Sequence, residues 1–403
     1  MQKKQIFLWA LYDFANSIVF VNFLLYFSQW LVLDWWLSDL GYNAIFAISA
    51  ILLFFTAPVL ATYTDKFWKL KKFLNWSTLG VFLFYGLAAG SALWSFPIYL
   101  TAVFFLFAQY CYQLSFVFYN PMIADISDKP HRWRVSGIGQ FANALGQVVG
   151  LAIFLPLSED LLAPLLPAVW VFFLLALPMM IFFKDTAKTV TTGIKKIERN
   201  HFYKKLIPFF SVSLAAPLLV AFFFYNDALV TVTNNLSIYL ENVFEIPNNQ
   251  KSIILMLIVL MNAVGALLSG WIGDKIGIKK TLIGVLIAWI IALPIVAITA
   301  SIPLFMILSA ILGILIGAMR AVSRAYMSML VAKEDLWYGF SFYTIFERFA
   351  AIIWPLTWGG IIAIGGVNSG SYRIAMVSMT AFVVVWLLLI IFWKRKTNTT
   401  IER

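Results

Sequence analysis

Few charged residues interrupt the long apolar runs of this 403-residue chain, and those few define the chemistry open to it. Asp13 stands inside the first run, with Asn16 and Ser17 three and four residues on, hence on the same helical face. Asp227 stands inside a later run, followed at helical spacing by Thr231 and Asn234. Both acids follow a tyrosine closely, in Tyr12-Asp13 and Tyr225-Asn226-Asp227, and they are 214 positions apart (227 − 13). An ionisable group at membrane depth faces a water-filled cavity or a partner. Such acids can bind a cation, carry a proton or orient a polar solute; the plainer use is a helix–helix hydrogen bond or a capped kink. A further run carries Glu347 and Arg348. Adjacent helix positions point about 100° apart, so the two cannot share one cavity. Arg348 is expected as counter-ion to an aspartate across the cavity, with a purely structural ion pair as the alternative.

Uncharged polar side chains form stripes on two more runs. Gln109, Gln113 and Asn120 recur at helical spacing on one, and Gln140, Asn143 and Gln147 on the next, where Gly137, Gly139, Gly146 and Gly150 permit close backbone approach. Each of these could simply join helices, but their concentration around the two aspartates suggests a wet central cavity. Nothing suggests an enzyme. His131 and His201 lie in loops, no nucleophile–base pair is evident, metal-ligand spacing is absent, and no GxxxxGK[ST] phosphate loop occurs. No cofactor is implied. Cys111 is the single cysteine, so an intrachain disulfide is impossible.

The elements that position these residues follow from composition. Hydrophobic residues make up 62% of the chain and charged residues 12%, with mean hydropathy +0.90, against about 45–50% and 25% in soluble domains. Twelve runs are long enough to cross ~30 Å of hydrocarbon as helices: 6–33, 43–63, 73–93, 96–120, 136–156, 163–183, 212–240, 252–273, 280–299, 302–329, 338–364 and 372–393. The first begins behind Lys3 and Lys4 but continues to Leu33 without a small-residue cleavage site, which marks a retained helix. Of the 29 lysines and arginines all but three fall on one side of this arrangement; Lys251 and Arg373 fall opposite, and Arg348 falls within the eleventh run. Asp34, Asp39, Glu159, Asp160, Glu241 and Glu245 occupy the opposite loops. The positive-inside rule then places both termini in the cytoplasm. A net charge of +11 concentrated in such short loops argues against nucleic acid. The Phe, Trp and Tyr residues read mostly as lipid-facing bulk and interfacial belts.

One loop punctuates the second half, GWIGDKIGIKK from Gly270 to Lys280. Gly277 permits a backbone conformation other residues resist, Asp274 can accept hydrogen bonds at a neighbouring helix N-terminus, and Lys275, Lys279 and Lys280 hold the turn inside. A degraded copy runs from Ala61 through Asp65-Lys66 to Lys72, and the two acids are 209 positions apart (274 − 65), near half the chain. This is a duplicated membrane protein: an N-terminal six-helix bundle at 1–183, a basic cytoplasmic linker at 184–211, read as a solvated connection with binding of anionic lipid headgroups as the alternative, and a C-terminal six-helix bundle at 212–403.

The duplication and its loop resemble the major facilitator superfamily. WALYDFANS (Trp9 to Ser17) further resembles the first-helix signature of the vacuolar amino-acid effluxer-like, autophagy-related family and its bacterial relatives. FYNPMIADI (Phe118 to Ile126) with VSGIG (Val135 to Gly139), FYNDALVTV (Phe224 to Val232), and the stretches SRAYMSMLVAKE and YGFSFYTIFERF between Ser323 and Phe349 agree with it. Trp354-Pro355 departs from the expected glycine before the proline, and Trp68 replaces the second glycine of the first-half loop. The resemblance implies an all-α, twelve-helix major facilitator fold of two pseudo-symmetric bundles and a monomer in a bacterial inner membrane. It implies a secondary transporter of a small organic solute, amino acids among the candidates, and the lack of a GxxxxGK[ST] loop points to an ion gradient as the driving force. Asp13, Asp227 and Glu347 are then the candidates for carrying a proton. The loop acid is expected to brace the cytoplasmic side: Asp274 against the start of the fifth helix near Val135 to Gly139, paired with Arg320 or Arg324, and Asp65 near Tyr338. A lipid flippase or drug exporter of the same fold, and a non-transporting sensor or scaffold, are the alternatives; solute flux in proteoliposomes separates the last from the others.

Overall fold

The computed structural model describes residues 3–35, 37–67, 70–127, 132–184, 216–330 and 353–392. No strand occurs among them. The helices are α1 (Lys3–Asn22, extended by π-helical turns Phe23–Phe27 and Trp30–Asp34), α2 (Asp39–Phe67), α3 (Leu70–Leu93), α4 (Ile98–Tyr119), α5 (Arg132–Phe154) and α6 (Leu165–Phe182). The second half holds α7 (Ala216–Phe244), α8 (Asn248–Ile276), α9 (Ile278–Ile298), α10 (Ile302–Leu330), α11 (Ile353–Gly365 in its described part) and α12 (Ser369–Phe392). Each expected span overlaps a helix where it is described, and among the described residues ten helices are long and apolar enough to cross a membrane. Hydrocarbon offers backbone groups no water, so each apolar run satisfies its own N–H and C=O groups as a helix.

The two halves repeat one packing scheme. In the first, α1 packs on α6, α2 on α4, and α3 on α4 and α6; in the second, α7 packs on α12, α8 on α10, and α9 on α10 and α12. The halves meet through α2 with α11 and α5 with α8, again equivalent pairs. This is the pseudo-symmetric pair of six-helix bundles that the 209-residue offset implies.

Basic side chains finish several helices. Lys71 donates to the carbonyls of Ile181 (3.0 Å) and Phe183 (2.6 Å) at the end of α6, and Asn75 to that of Met180 (3.2 Å). Arg373 donates to the carbonyls of Ala297 (2.5 Å) and Thr299 (2.7 Å) at the end of α9. Each supplies partners that the last turn of a helix lacks.

The aromatic residues depart from expectation. Trp94, Tyr99 and Trp271 are exposed belt residues, but Trp354, Trp358, Trp386, Tyr12, Tyr26, Tyr42, Tyr85, Tyr119, Tyr239 and Tyr372 are fully buried. Large flat rings fill the space between helices, and the tyrosine hydroxyls supply hydrogen bonds there. Composition alone could not separate that use from a lipid-facing one.

Candidate functional site

Asp13 lies on the buried face of α1, 5% exposed, where α1 crosses α5. Asn143 of α5 donates from Nδ2 to Asp13 Oδ1 at 2.9 Å, and Gln147 donates to Asn143 Oδ1 at 2.8 Å. Asn16, one turn on, is fully buried; it donates to the Tyr12 carbonyl at 3.0 Å, while its Oδ1 has no hydrogen-bond partner among the described residues. Aromatic rings frame the acid. Trp9 and Tyr119 stack at 4.6 Å and are tied twice, Trp9 Nε1 to the Tyr119 carbonyl (3.2 Å) and Tyr119 OH to the Trp9 carbonyl (2.9 Å). Tyr12 OH shares a hydrogen bond with Thr78 at 2.7 Å. The acid, the amide relay and an unpaired amide oxygen thus converge where α1 meets α5, inside a rigid aromatic setting.

The other sequence-selected residues divide. Gln113 donates to Ser49 at 2.9 Å and Gln109 to Tyr85 at 3.1 Å, so these two amides join α4 to α2 and α3 rather than lining an open path. Thr231 and Asn234 are buried on α7. Glu347 and Arg348 lie outside the described residues, as do the side chains of Asp65, Asp227 and Arg324. In the α8–α9 turn Gly277 has φ +92° and ψ 140°, a conformation glycine alone adopts readily. A Cβ on Gly270 would meet nothing within 4 Å, so no close contact requires a glycine there. Asp274 and Lys275 are exposed, and Lys275 Nζ sits 3.6 Å from the centre of the Trp271 ring. Arg320 is half-buried, and among the described residues no ion pair joins it to Asp274.

Sequence reasoning missed the seam between the halves. Among the described residues, every hydrogen bond between them lies at one end of the bundle, the end away from Lys3 and Phe392, called here the far end. Ser28 of α1 and Ser237 of α7 bond at 2.9 Å, and they are 209 positions apart. The pseudo-twofold axis therefore passes between them. Tyr26 of α1 bonds Ser252 of α8 at 2.8 Å, and Asn43 of α2 exchanges two bonds with Asn235 of α7 at 3.0 and 2.9 Å. Adding 209 to Tyr26 and Asn43 gives Asn235 and Ser252, so these contacts are one contact written twice with different side chains. Tyr42 OH donates to the Asn234 carbonyl at 2.9 Å, and Tyr372 OH of α12 donates to both oxygens of the buried Asp39 at 3.0 and 2.9 Å. The π-helical turns of α1 belong to this seam: the Leu24 carbonyl accepts from Ser28 Oγ at 2.7 Å and from Ser237 Oγ at 3.4 Å. Gly359 of α11 lets α11 press on the backbone of α2, since a Cβ there would lie 2.5 Å from Leu40 Cα. The 209 offset, applied to every buried polar residue, was the signal that could have found these pairs.

The C-terminal half encloses a small cavity walled by α7 to α10 and α12, where Trp289 Nε1 and Ser309 Oγ are buried with no partner among the described residues.

Comparison with known proteins agrees with this architecture. Residues 217–403 match the Major Facilitator Superfamily sequence family. The chain is 25% identical, over 433 aligned positions covering 98% of it and 96% of the relative, to the uncharacterized MFS-type transporter YxiO of Bacillus subtilis (strain 168). It superposes on the nucleoside transporter NupG with TM-score 0.75 at 13% identity, covering 97% of this chain and 98% of that one. It also superposes on a bacterial homologue of the human lysosomal transporter Spinster, solved inward-facing and unoccupied, with TM-score 0.73 at 13% identity over 96% and 95% of the two chains. The fold is that of the major facilitator superfamily, and these matches support a membrane transporter of that type.

Proposed function

We propose that this chain is a secondary active transporter that moves a small organic solute by alternating access. The observation that carries the reading is Asp13, an acid buried in a membrane-spanning helix, held by Asn143 and one turn from the unpaired Oδ1 of Asn16. A carboxylate and an amide oxygen on one helix face suit a protonated amine, which favours amino acids or related amines as cargo. A carboxyl at that depth can also carry the coupled proton, and Asp227, 214 positions on in α7, is the corresponding candidate in the second half.

The distribution of lysine and arginine supports a cytoplasmic position for both termini and for the α8–α9 turn. In this reading the far end is external, and the closed seam there supports an inward-facing arrangement. Asp274, Lys275, Gly277, Arg320 and Arg324, with Asp65 in the first half, form the opposing gate and engage when the cytoplasmic side shuts.

Cysteines introduced at the exposed Lys72 and Lys279 should react with a membrane-impermeant reagent only from the cytoplasmic side, and one at the exposed Glu159 only from outside. The native Cys111 is buried and gives little background. The transport reading is tested with purified protein in proteoliposomes under an imposed proton gradient. Accumulation of a radiolabelled amino acid or amine, collapsed by a protonophore, is the expected result; no flux of any solute in either direction would contradict it.

A further inference from the structure

The far-end seam departs from the twofold repeat at Lys251. Position 251 is equivalent to position 42 under the 209 offset, so where the first half uses Tyr42 the second uses a lysine. Lys251 of α8 is 1% exposed and, among the described residues, the one charged residue in a cleft lined by leucines with Thr233 and Ser237. Its ammonium donates to Gln29 Oε1 of α1 across the seam (2.5 Å), and to Glu241 Oε2 and Asn248 Oδ1 (3.0 Å) within its own half. Glu241 is 40% exposed, and its equivalent in the first half is Val32, so the counter-ion accompanies the lysine and has no symmetry mate.

We infer that Lys251 is a charge that primes the far end to open, and that Glu241 is the positioning counter-ion that keeps it shut. A buried cation is tolerated only while it is paired and hydrogen-bonded, because removing its partner leaves the whole desolvation penalty. Parting the halves removes Gln29 and admits water to the ammonium, so the open state gains what the closed state lacks. Glu241 meets no such penalty when left alone, since it already reaches solvent. The two partners therefore have opposite effects on closure, unlike an ordinary salt-bridge clasp, in which loss of either partner opens the seam alike.

This inference rests on the alternating-access reading, but its test needs no solute. Spin labels on cysteines at Glu159 and Asn249 report the far-end separation in the full-length protein. Glu241→Gln should raise the ratio of open to closed populations roughly tenfold, less than a fully buried pair would give because Glu241 is partly hydrated. Lys251→Met, alone or combined with Glu241→Gln, should keep the closed distance. Glu241→Asp should shift the ratio in the same direction but less, and serves if Glu241→Gln does not yield folded protein. Unchanged distances in Glu241→Gln and Glu241→Asp, or opening in Lys251→Met as large as in Glu241→Gln, would overturn the inference. Absence of solute flux in the wild type would instead count against the transport reading and leave these distances interpretable.

Discussion

Asp13→Asn is expected to reduce gradient-driven accumulation to background while leaving the yield of folded protein close to that of the wild type. The amide keeps an oxygen for the Asn143 bond, now at 2.9 Å, and the Trp9–Tyr119 pair beside it does not depend on charge. What it loses is the ability to bind and release a proton, and the negative charge that would face a protonated amine. Exchange of solute down its own gradient separates the two roles. Retained exchange with lost accumulation marks Asp13 as the coupling group, and loss of both marks it as a solute contact as well. If the variant accumulates solute normally, Asp13 has neither role; if it fails to fold, the acid is a structural tie between α1 and α5.

The second large effect is steric. Gly359→Val places a branched side chain where the Leu40 nitrogen lies 2.8 Å and the Asp39 carbonyl oxygen 3.0 Å from the Cβ position. Both neighbours are backbone and cannot swing aside. Overpacking of this kind costs about 1–3 kcal/mol, and the strain exists only while α2 and α11 are in contact. The open arrangement should therefore gain ~5–150-fold in population, and the Asp39–Tyr372 bond should part with it. A longer distance between labels at Glu159 and Asn249 is the expected result. A lower thermal midpoint with an unchanged distance would show that the closed seam absorbs the strain and that α2 and α11 do not separate.

How much of this was legible beforehand depended on whether a feature is local or relational. The helices among the described residues could be read from run length alone, because a bilayer leaves the backbone no other solution. Asp13 and Asn143 were both singled out by their polarity at depth, but nothing in the chain showed that they bond each other across 130 positions. Gln113 was selected by the same reasoning and serves packing, since a buried amide gives the same sequence signal whether it meets Ser49 or a solute. Lys251 was read as an ordinary base in an external loop, and its burial depends on how far α8 extends and where Gln29 lies. The buried tyrosines escaped notice because their hydroxyls find partners on distant helices. The duplication was the most informative relational feature in the sequence: the loop offset of 209 returns unchanged in the Ser28–Ser237 contact that marks the axis.

The central claim is that the two ends of the bundle open in alternation, and paired distance measurements in lipid test it most directly. One label pair at Glu159 and Asn249 spans the far end, and a second at Lys72 and Lys279 spans the end that carries the termini; all four positions are exposed. Titrating a transported solute or imposing the gradient should move the two distributions in opposite directions, the far-end distance lengthening as the other shortens. Distances that stay fixed under both conditions, or that lengthen together, would contradict alternating access and with it the roles assigned to the seam and to Asp274.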